Sequence, residues 1–318
     1  MARVLITRPL PAAVLEAARA HHDVTARASN APLDAAELDS ALADYDGVLA
    51  TLGDTFSAEV FARAGTPRCR VLANFGVGYN HIDAEAARAA GVTVTNTPGV
   101  VTDATADLAL TLILMTARRA GEGERLVRAG GWAGWNPTQL LGMHVSGKTV
   151  GIVGLGRIGK AIARRCHHGL GMEVVFFNRS RVADPGVPAR QLDSLHALMG
   201  AADIVVVAVP GGPATRHLID GPAIAAMRPE AHLVNISRGD VIDEGALIDA
   251  LEVGRIAGAG LDVYEREPEV PERLRARDNA VLLPHLGTNA LEVRTKMGMM
   301  ALANLDAVID RKDPPNAV

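Results

Sequence analysis

Short apolar runs alternate with segments that are apolar on one side only, almost from one end of the chain to the other. Val4-Leu5-Ile6, Gly47-Val48-Leu49-Ala50, Val71-Leu72-Ala73 and Val92-Thr93-Val94 read as strands, with helices expected over residues 12–20 and 58–64. A second series opens with Lys148-Thr149-Val150-Gly151-Ile152-Val153 and continues through residues 173–177, 203–209, 232–236, 260–263 and 281–283. After Asp203 the run at 203–209 is continuously apolar, as in a strand buried on both faces. Strand and helix in alternation predict an α/β protein with two doubly wound parallel sheets.

Between the two series, the breaker cluster Asn96-Thr97-Pro98-Gly99 precedes a helix expected to run from Thr102 or Asp103 to about Arg119. This helix is apolar nearly all round, so it must be covered on more than one side, between domains or between subunits. Residues 120–146 hold both tryptophans, Trp132 and Trp135, among glycines, and are expected to form a long loop or interaction arm. A last helix is expected over residues 291–310. The predicted division is discontinuous. Residues 1–98 with 287–318 form one domain, and residues 99–286 form the other, which includes the long helix and the arm.

Composition narrows the class. The chain has 318 residues, 48% hydrophobic and 21% charged, with a net charge of −4 and only 3% aromatics. No polybasic block or run of stacking aromatics suggests a nucleic-acid partner, and no apolar run reaches the roughly 18 residues of a membrane span. A cytoplasmic protein is the default expectation. The two cysteines, Cys69 and Cys166, read as buried free thiols. The pairs His21-His22 and His167-His168 lack a ligand cluster, so no metal site is expected, and His21-His22 reads as a surface pair.

The chemistry starts at Gly154-Leu155-Gly156-Arg157-Ile158-Gly159, between a strand and a helix expected from Lys160 to His167. Strand, glycine turn and helix make a dinucleotide fingerprint. The glycines permit the turn, the approach of a pyrophosphate and close packing of helix on strand. Free N–H groups at the helix N-terminus would meet the phosphates. Three further polar residues follow late strands: Arg238 in Asn235-Ile236-Ser237-Arg238-Gly239, Glu267 before Pro268, and His285 in Pro284-His285-Leu286-Gly287. An arginine can fork onto a carboxylate, a histidine can exchange a proton near neutral pH, and a glutamate can orient that histidine.

The cofactor strand ends in Asn178-Arg179-Ser180-Arg181, where an NAD site would place a carboxylate. A carboxylate about 4 Å from a phosphate charge costs about 4 kcal/mol at an effective dielectric of 20. Its absence favours NADPH, with NADH still usable if these arginines are merely solvated.

Taken together, the fingerprint, Asn235 to Asp240, Ala259 to Val263 with Glu267-Pro268, and Pro284 to Gly287 resemble the D-isomer-specific 2-hydroxyacid dehydrogenases over essentially the whole length. Within that family the chain looks most like the glyoxylate/hydroxypyruvate reductases. The resemblance implies that His285 protonates the substrate carbonyl oxygen, Glu267 holds His285, and Arg238 binds the 2-oxo acid in a cleft between domains. It further implies that the backbone N–H groups of Val77 and Gly78 take the carboxylate, and that Asp262 holds the nicotinamide carboxamide. Thr105, Pro210, Thr215, Ile236, His285 and Gly287 would lie along the cofactor. A homodimer is implied, with Trp135 reaching the neighbour's active site. The family pattern is broken at Gly211-Gly212, which stand in place of a bulkier pair. A dehydrogenase for D-lactate or D-glycerate, or a non-catalytic NAD(P)-sensing scaffold, is the alternative.

Overall fold

A computed structural model describes residues 1–318. It divides into two compact units, Met1–Val101 with Thr288–Val318, and Thr102–Gly287.

The first unit contains β1 (Arg3–Ile6), α1 (Ala12–His21), β2 (Asp23–Ala26), α2 (Ala35–Asp44), β3 (Gly47–Ala50), α3 (Ala58–Ala64), β4 (Val71–Asn74), α4 (Ala84–Ala89) and β5 (Thr93–Thr95). The strands form one parallel sheet in the order β2-β1-β3-β4-β5, the flavodoxin-like arrangement. One face buries Leu5, Val48 and Leu72 against Leu38, Leu42, Val60 and Phe61 of α2 and α3. The other is covered by α1 and the C-terminal helix Leu291–Ile309.

Two elements of this unit, β2 and α2, were not expected from the sequence. Strand β2 is an edge strand whose residues alternate between exposed and half-buried. Helix α2 is fixed at its start by a capping box, in which Asp34 accepts from the Glu37 N–H and Glu37 accepts from the Asp34 N–H. The expected surface pair at His21-His22 is half wrong. His22 is buried, and its Nε2 lies 2.7 Å from Asp306 on the C-terminal helix. The end of α1 turns inward there, and the exposed half of the pair is His21 alone.

The second unit contains α5 (Thr102–Ala117), α6 (Ala120–Arg128), β6 (Thr149–Val153), α7 (Arg157–Leu170), β7 (Glu173–Phe177), β8 (Ala189–Gln191), α8 (Leu195–Ala201), β9 (Ile204–Val207), α9 (Gly221–Ala225), β10 (His232–Asn235), α10 (Glu244–Glu252), β11 (Gly258–Leu261), α11 (Glu272–Arg275) and β12 (Ala280–Leu282). Seven parallel strands run in the order β12-β11-β10-β9-β6-β7-β8. Alternation along β9 shows how both faces are buried. Ile204 and Val206 join the core beneath α5 and α7, while Val205 and Val207 join the core beneath α8, α9 and α10. Both cysteines are buried free thiols, each pushed up to about 12 by burial.

The expected loop at 120–146 needs correction, because its first nine residues are helix α6. Glycines 121 and 123 hide that helix in the sequence. Ion pairs Arg119–Glu122 and Glu124–Arg128, at helical spacings, support it. None of its residues is buried, and beyond it Trp132 is 54% and Trp135 82% exposed. No helix is long and apolar enough to cross a membrane.

Candidate active site

In an all-parallel sheet every strand presents its C-terminal end at one edge, and that edge is where ligands bind. The strand order reverses between β6 and β9, so the fingerprint after β6 lies at the switch point. Gly154 adopts φ 94°, and a side chain there would meet Ala208 O at 2.8 Å. At Gly159 a Cβ would come within 2.2 Å of Gly154 O, so only glycine lets α7 start this close to the strand. Helix α7 begins at Arg157 with no side-chain cap on its N-terminus, which leaves its first N–H groups for a ligand. Leu155 is buried under the turn, and Ile158 packs partly against the core. This cradle fits a dinucleotide pyrophosphate.

Four strands along the same edge, at the end of the sheet, the His285 turn follows β12. His285 has φ 54°, a left-handed conformation that costs a non-glycine residue on the order of 1–3 kcal/mol unless its surroundings enforce it. Asp262, at the end of β11, supplies that enforcement. Its carbonyl accepts the His285 N–H at 2.9 Å, and its carboxylate accepts the Leu286 N–H at 2.6 Å and the Gly287 N–H at 2.9 Å. Burial raises the Asp262 carboxyl above its usual range, opposed by the Leu286 amide, His285 and the Gly287 amide. Thr105 Oγ1 donates to Gly287 O at 3.2 Å and closes the turn from α5.

The side chain of His285 meets Glu267, with Nδ1 and Oε2 2.8 Å apart. The other carboxylate oxygen accepts the Tyr264 N–H at 3.1 Å. Burial works to raise the Glu267 carboxyl. The hydrogen bond and charge of His285, the Tyr264 amide and the Arg238 guanidinium outweigh it and hold the carboxyl below the usual glutamate range. Committing Nδ1 to Glu267 leaves Nε2 as the nitrogen free for a substrate.

Arg238 leaves β10 through a loop tied by Asn235. Asn235 Nδ2 donates to Arg238 O at 2.9 Å, and its Oδ1 accepts the Ser237 N–H at 3.0 Å. Burial pulls the Arg238 guanidinium below the usual arginine range, opposed by Glu267 and Asp240. Its aliphatic stem lies on Gly211, where a Cβ would meet Arg238 Cγ at 2.6 Å. Any side chain at 211 would therefore push on the arginine's stem. The loop after β9 is closed by Thr215, whose hydroxyl donates to Pro210 O at 2.7 Å. Ile236 is buried at the end of β10.

In the first unit, Asn74 Nδ2 donates to Gly76 O at 2.9 Å and Gly78 O at 3.0 Å, while Asn96 Nδ2 donates to Val77 O at 2.9 Å. Those carbonyls are thus turned to the protein, and no protein acceptor takes the N–H of Val77 or Gly78. Trp135 makes no part of the Arg238, Glu267 and His285 cluster in its own chain. Sequence reasoning missed Asn235, Asn74 and the holding role of Asp262. A buried polar residue ending an apolar strand was the available signal.

A parallel nucleotide-binding sheet with an acid–base pair and an arginine at its ligand edge defines an NAD(P)-dependent oxidoreductase. Residues 110–287 match the family model of the D-isomer specific 2-hydroxyacid dehydrogenase, NAD binding domain. The chain belongs to the D-isomer-specific 2-hydroxyacid dehydrogenases. A glyoxylate reductase of Thermococcus kodakarensis is 41% identical over 321 residues, covering 99% of this chain and 96% of the relative. One from Pyrococcus furiosus is 40% identical over 324 residues, covering 99% and 95%. Among solved structures, an NADPH-dependent glyoxylate/hydroxypyruvate reductase of Sinorhizobium meliloti, in complex with NADP and malonate, superposes with a TM-score of 0.87 at 34% identity, covering 100% and 96%. A D-isomer specific 2-hydroxyacid dehydrogenase from a Polaromonas species gives a TM-score of 0.93 at 36% identity, covering 100% and 99%.

Proposed function

We propose that the protein reduces small 2-oxo acids, glyoxylate and hydroxypyruvate foremost, to their 2-hydroxy acids. The observation that carries this reading is the His285–Glu267 pair at 2.8 Å with Arg238 electrostatically coupled to it. A bound reduced nicotinamide supplies the hydride. Arg238 forks onto the oxo acid and orients its carbonyl. The Val77 and Gly78 N–H groups take the carboxylate. His285 Nε2 delivers a proton to the carbonyl oxygen, and Glu267 fixes the ring by its contact with Nδ1. Turnover of glyoxylate, hydroxypyruvate and pyruvate, each with NADPH and NADH, tests the reading. Failure to turn over any of them would overturn it.

NADPH is the proposed preference. Arg179, Ser180 and Arg181 are exposed, and neither arginine is paired with a carboxylate. Asp184, the first acid after β7, is turned to the Gly186 N–H at 2.8 Å. Arg179→Ala should raise KM for NADPH and leave that for NADH nearly unchanged. A wild type that prefers NADH would refute the preference.

The uncovered arm supports a homodimer. Val127 and Leu141 are 59% and 67% exposed beside the two tryptophans, and Leu114 of α5 is also exposed. Such a patch marks an interaction surface, and tryptophan is enriched in interface hot spots. Trp135 would narrow the partner's substrate pocket, so Trp135→Ala should admit longer or branched 2-oxo acids. A monomeric, fully active protein would refute the arm's role.

A further inference from the structure

The loop after β7 carries the proposed cofactor preference, and the role assigned here to Gln191 rests on that reading. Residues 178–182 leave the sheet with two exposed arginines, a conformation with little to hold it. One side chain from outside the loop holds it. Gln191 ends β8, which pairs with β7 at Phe176↔Gln191. Its Nε2 donates to Ser180 O at 3.0 Å and to Asn178 O at 3.4 Å, and its Oε1 accepts the Val182 N–H at 3.0 Å. Donor and acceptor of one half-buried amide thus clamp the loop at its start, middle and end. Asn178 adds a bond within the loop, from Nδ2 to Ser180 O at 3.3 Å.

The clamp is specific to an amide. A carboxylate at 191 would set an oxygen against two carbonyl oxygens and bring a negative charge toward the proposed phosphate. An aliphatic side chain would release three backbone groups to water. The backbone of Arg179 lies within the span that Gln191 ties down, and Arg181 is flanked by its contacts to Ser180 and Val182. We propose that Gln191 is a positioning residue for cofactor discrimination. It holds the 178–182 loop in the conformation in which Arg179 and Arg181 converge on the 2′-phosphate of NADPH. NADH lacks that phosphate and has no use for the convergence.

The test is steady-state kinetics of glyoxylate reduction by Gln191→Ala and Gln191→Glu, alongside Arg179→Ala and the double variant Arg179→Ala/Gln191→Ala. Gln191→Ala should raise KM for NADPH about tenfold, the scale of one or two neutral hydrogen bonds. It should leave kcat at saturating NADPH, KM for NADH and KM for glyoxylate unchanged. Gln191→Glu keeps the volume of the side chain and should raise KM for NADPH further, again sparing NADH. In the Arg179→Ala background, removing Gln191 should add much less than it does alone. A merely structural role would raise both cofactors' KM together, or lower the melting temperature without changing their ratio, and either result overturns the proposal. If Arg179→Ala changes the ratio and Gln191→Ala does not, the positioning role falls while the phosphate site stands. If Arg179→Ala leaves the ratio unchanged, both fall.

Discussion

Asp262→Asn should cripple turnover by loosening the turn under His285 rather than by touching the proton itself. The substitution is nearly isosteric. It keeps one carbonyl oxygen and turns the other into an amino group that faces an N–H. Of the Leu286 and Gly287 N–H groups, now held at 2.6 and 2.9 Å, one loses its acceptor and the other keeps only a neutral one. Losing a hydrogen bond to a charged group costs about 1.5–3 kcal/mol. Burial already raises the Asp262 carboxyl, so part of that loss is returned when the anion is removed. His285, at φ 54°, stores strain of its own, which favours escape once the clamp weakens.

A net loss of about 2 kcal/mol in the turn shifts the ratio of conformations roughly 30-fold, which from near balance is about a 15-fold fall in the population that presents His285 correctly. The expected outcome is a kcat for glyoxylate reduction lower by about 10- to 100-fold. Faster hydrogen exchange at the Leu286 and Gly287 amides should accompany it. Protection at those two amides separates this mechanism from loss of a nicotinamide contact, which would change cofactor binding and leave them protected. Wild-type kcat, or reduced kcat with unchanged protection of both amides, would refute the reasoning.

His285→Ala should lower kcat by about 10²-fold or more, the scale of general acid catalysis, with cofactor affinity nearly unchanged; near-normal turnover would end its assignment as the proton donor. Glu267→Gln replaces the carboxylate that holds His285 Nδ1 at 2.8 Å with a neutral amide, so kcat should fall while cofactor affinity stays nearly unchanged, and an unchanged kcat would count against the pairing. The Glu267 carboxyl lies below its usual range, so the stability it contributes is present above the unfolded value and is lost as pH falls through the folded one. His232 is 6% exposed and is pulled down to about 4 by burial. Between an unfolded value of 6.5 and about 4 the unfolded chain takes up a proton that the fold refuses, so this residue should cost about 3 kcal/mol of stability on acidification across that window. Denaturant unfolding at pH 7 and 4.5 checks this, and a His232→Gln variant with the same pH dependence as the wild type would contradict it.

The parts of the fold visible in the sequence were those written in hydrophobic period. Strand β3 and helix α3 fall where expected, because apolar residues mark both without a polar competitor. Helix α7 begins three residues earlier than expected, at Arg157, because the third fingerprint glycine is itself helical. Strand β2 was invisible because it is an edge strand that buries little. Helix α2 was legible twice over, in Leu38, Ala41 and Leu42 at helical spacing and in its Asp34–Glu37 capping box, and a reading confined to the strand runs passes over both. Helix α6 buries nothing in the single chain, so no core pattern was available to mark it.

The site follows a different rule, and the difference has a physical origin. His285, Glu267 and Arg238 stand out because they follow strands of a parallel sheet on the edge where such a sheet binds ligands. What holds them is a set of bonds from side chain to backbone: Asp262 to the 286–287 amides, Asn235 to the loop of Arg238, and Asn74 to the 76–78 carbonyls. Such bonds join a residue in one element to a turn in the same or another element, and neither spacing nor composition records which turn it is. They matter because turns have no ladder of their own to satisfy their backbone groups. Asn74 and Asn235 are the last residues of their strands and Asp262 directly follows β11, each with its side chain turned to the following turn. A buried Asn or Asp at that position is therefore a sign that the following turn must be held still, and in this protein the turns so held carry His285, Arg238 and the Val77–Gly78 amides.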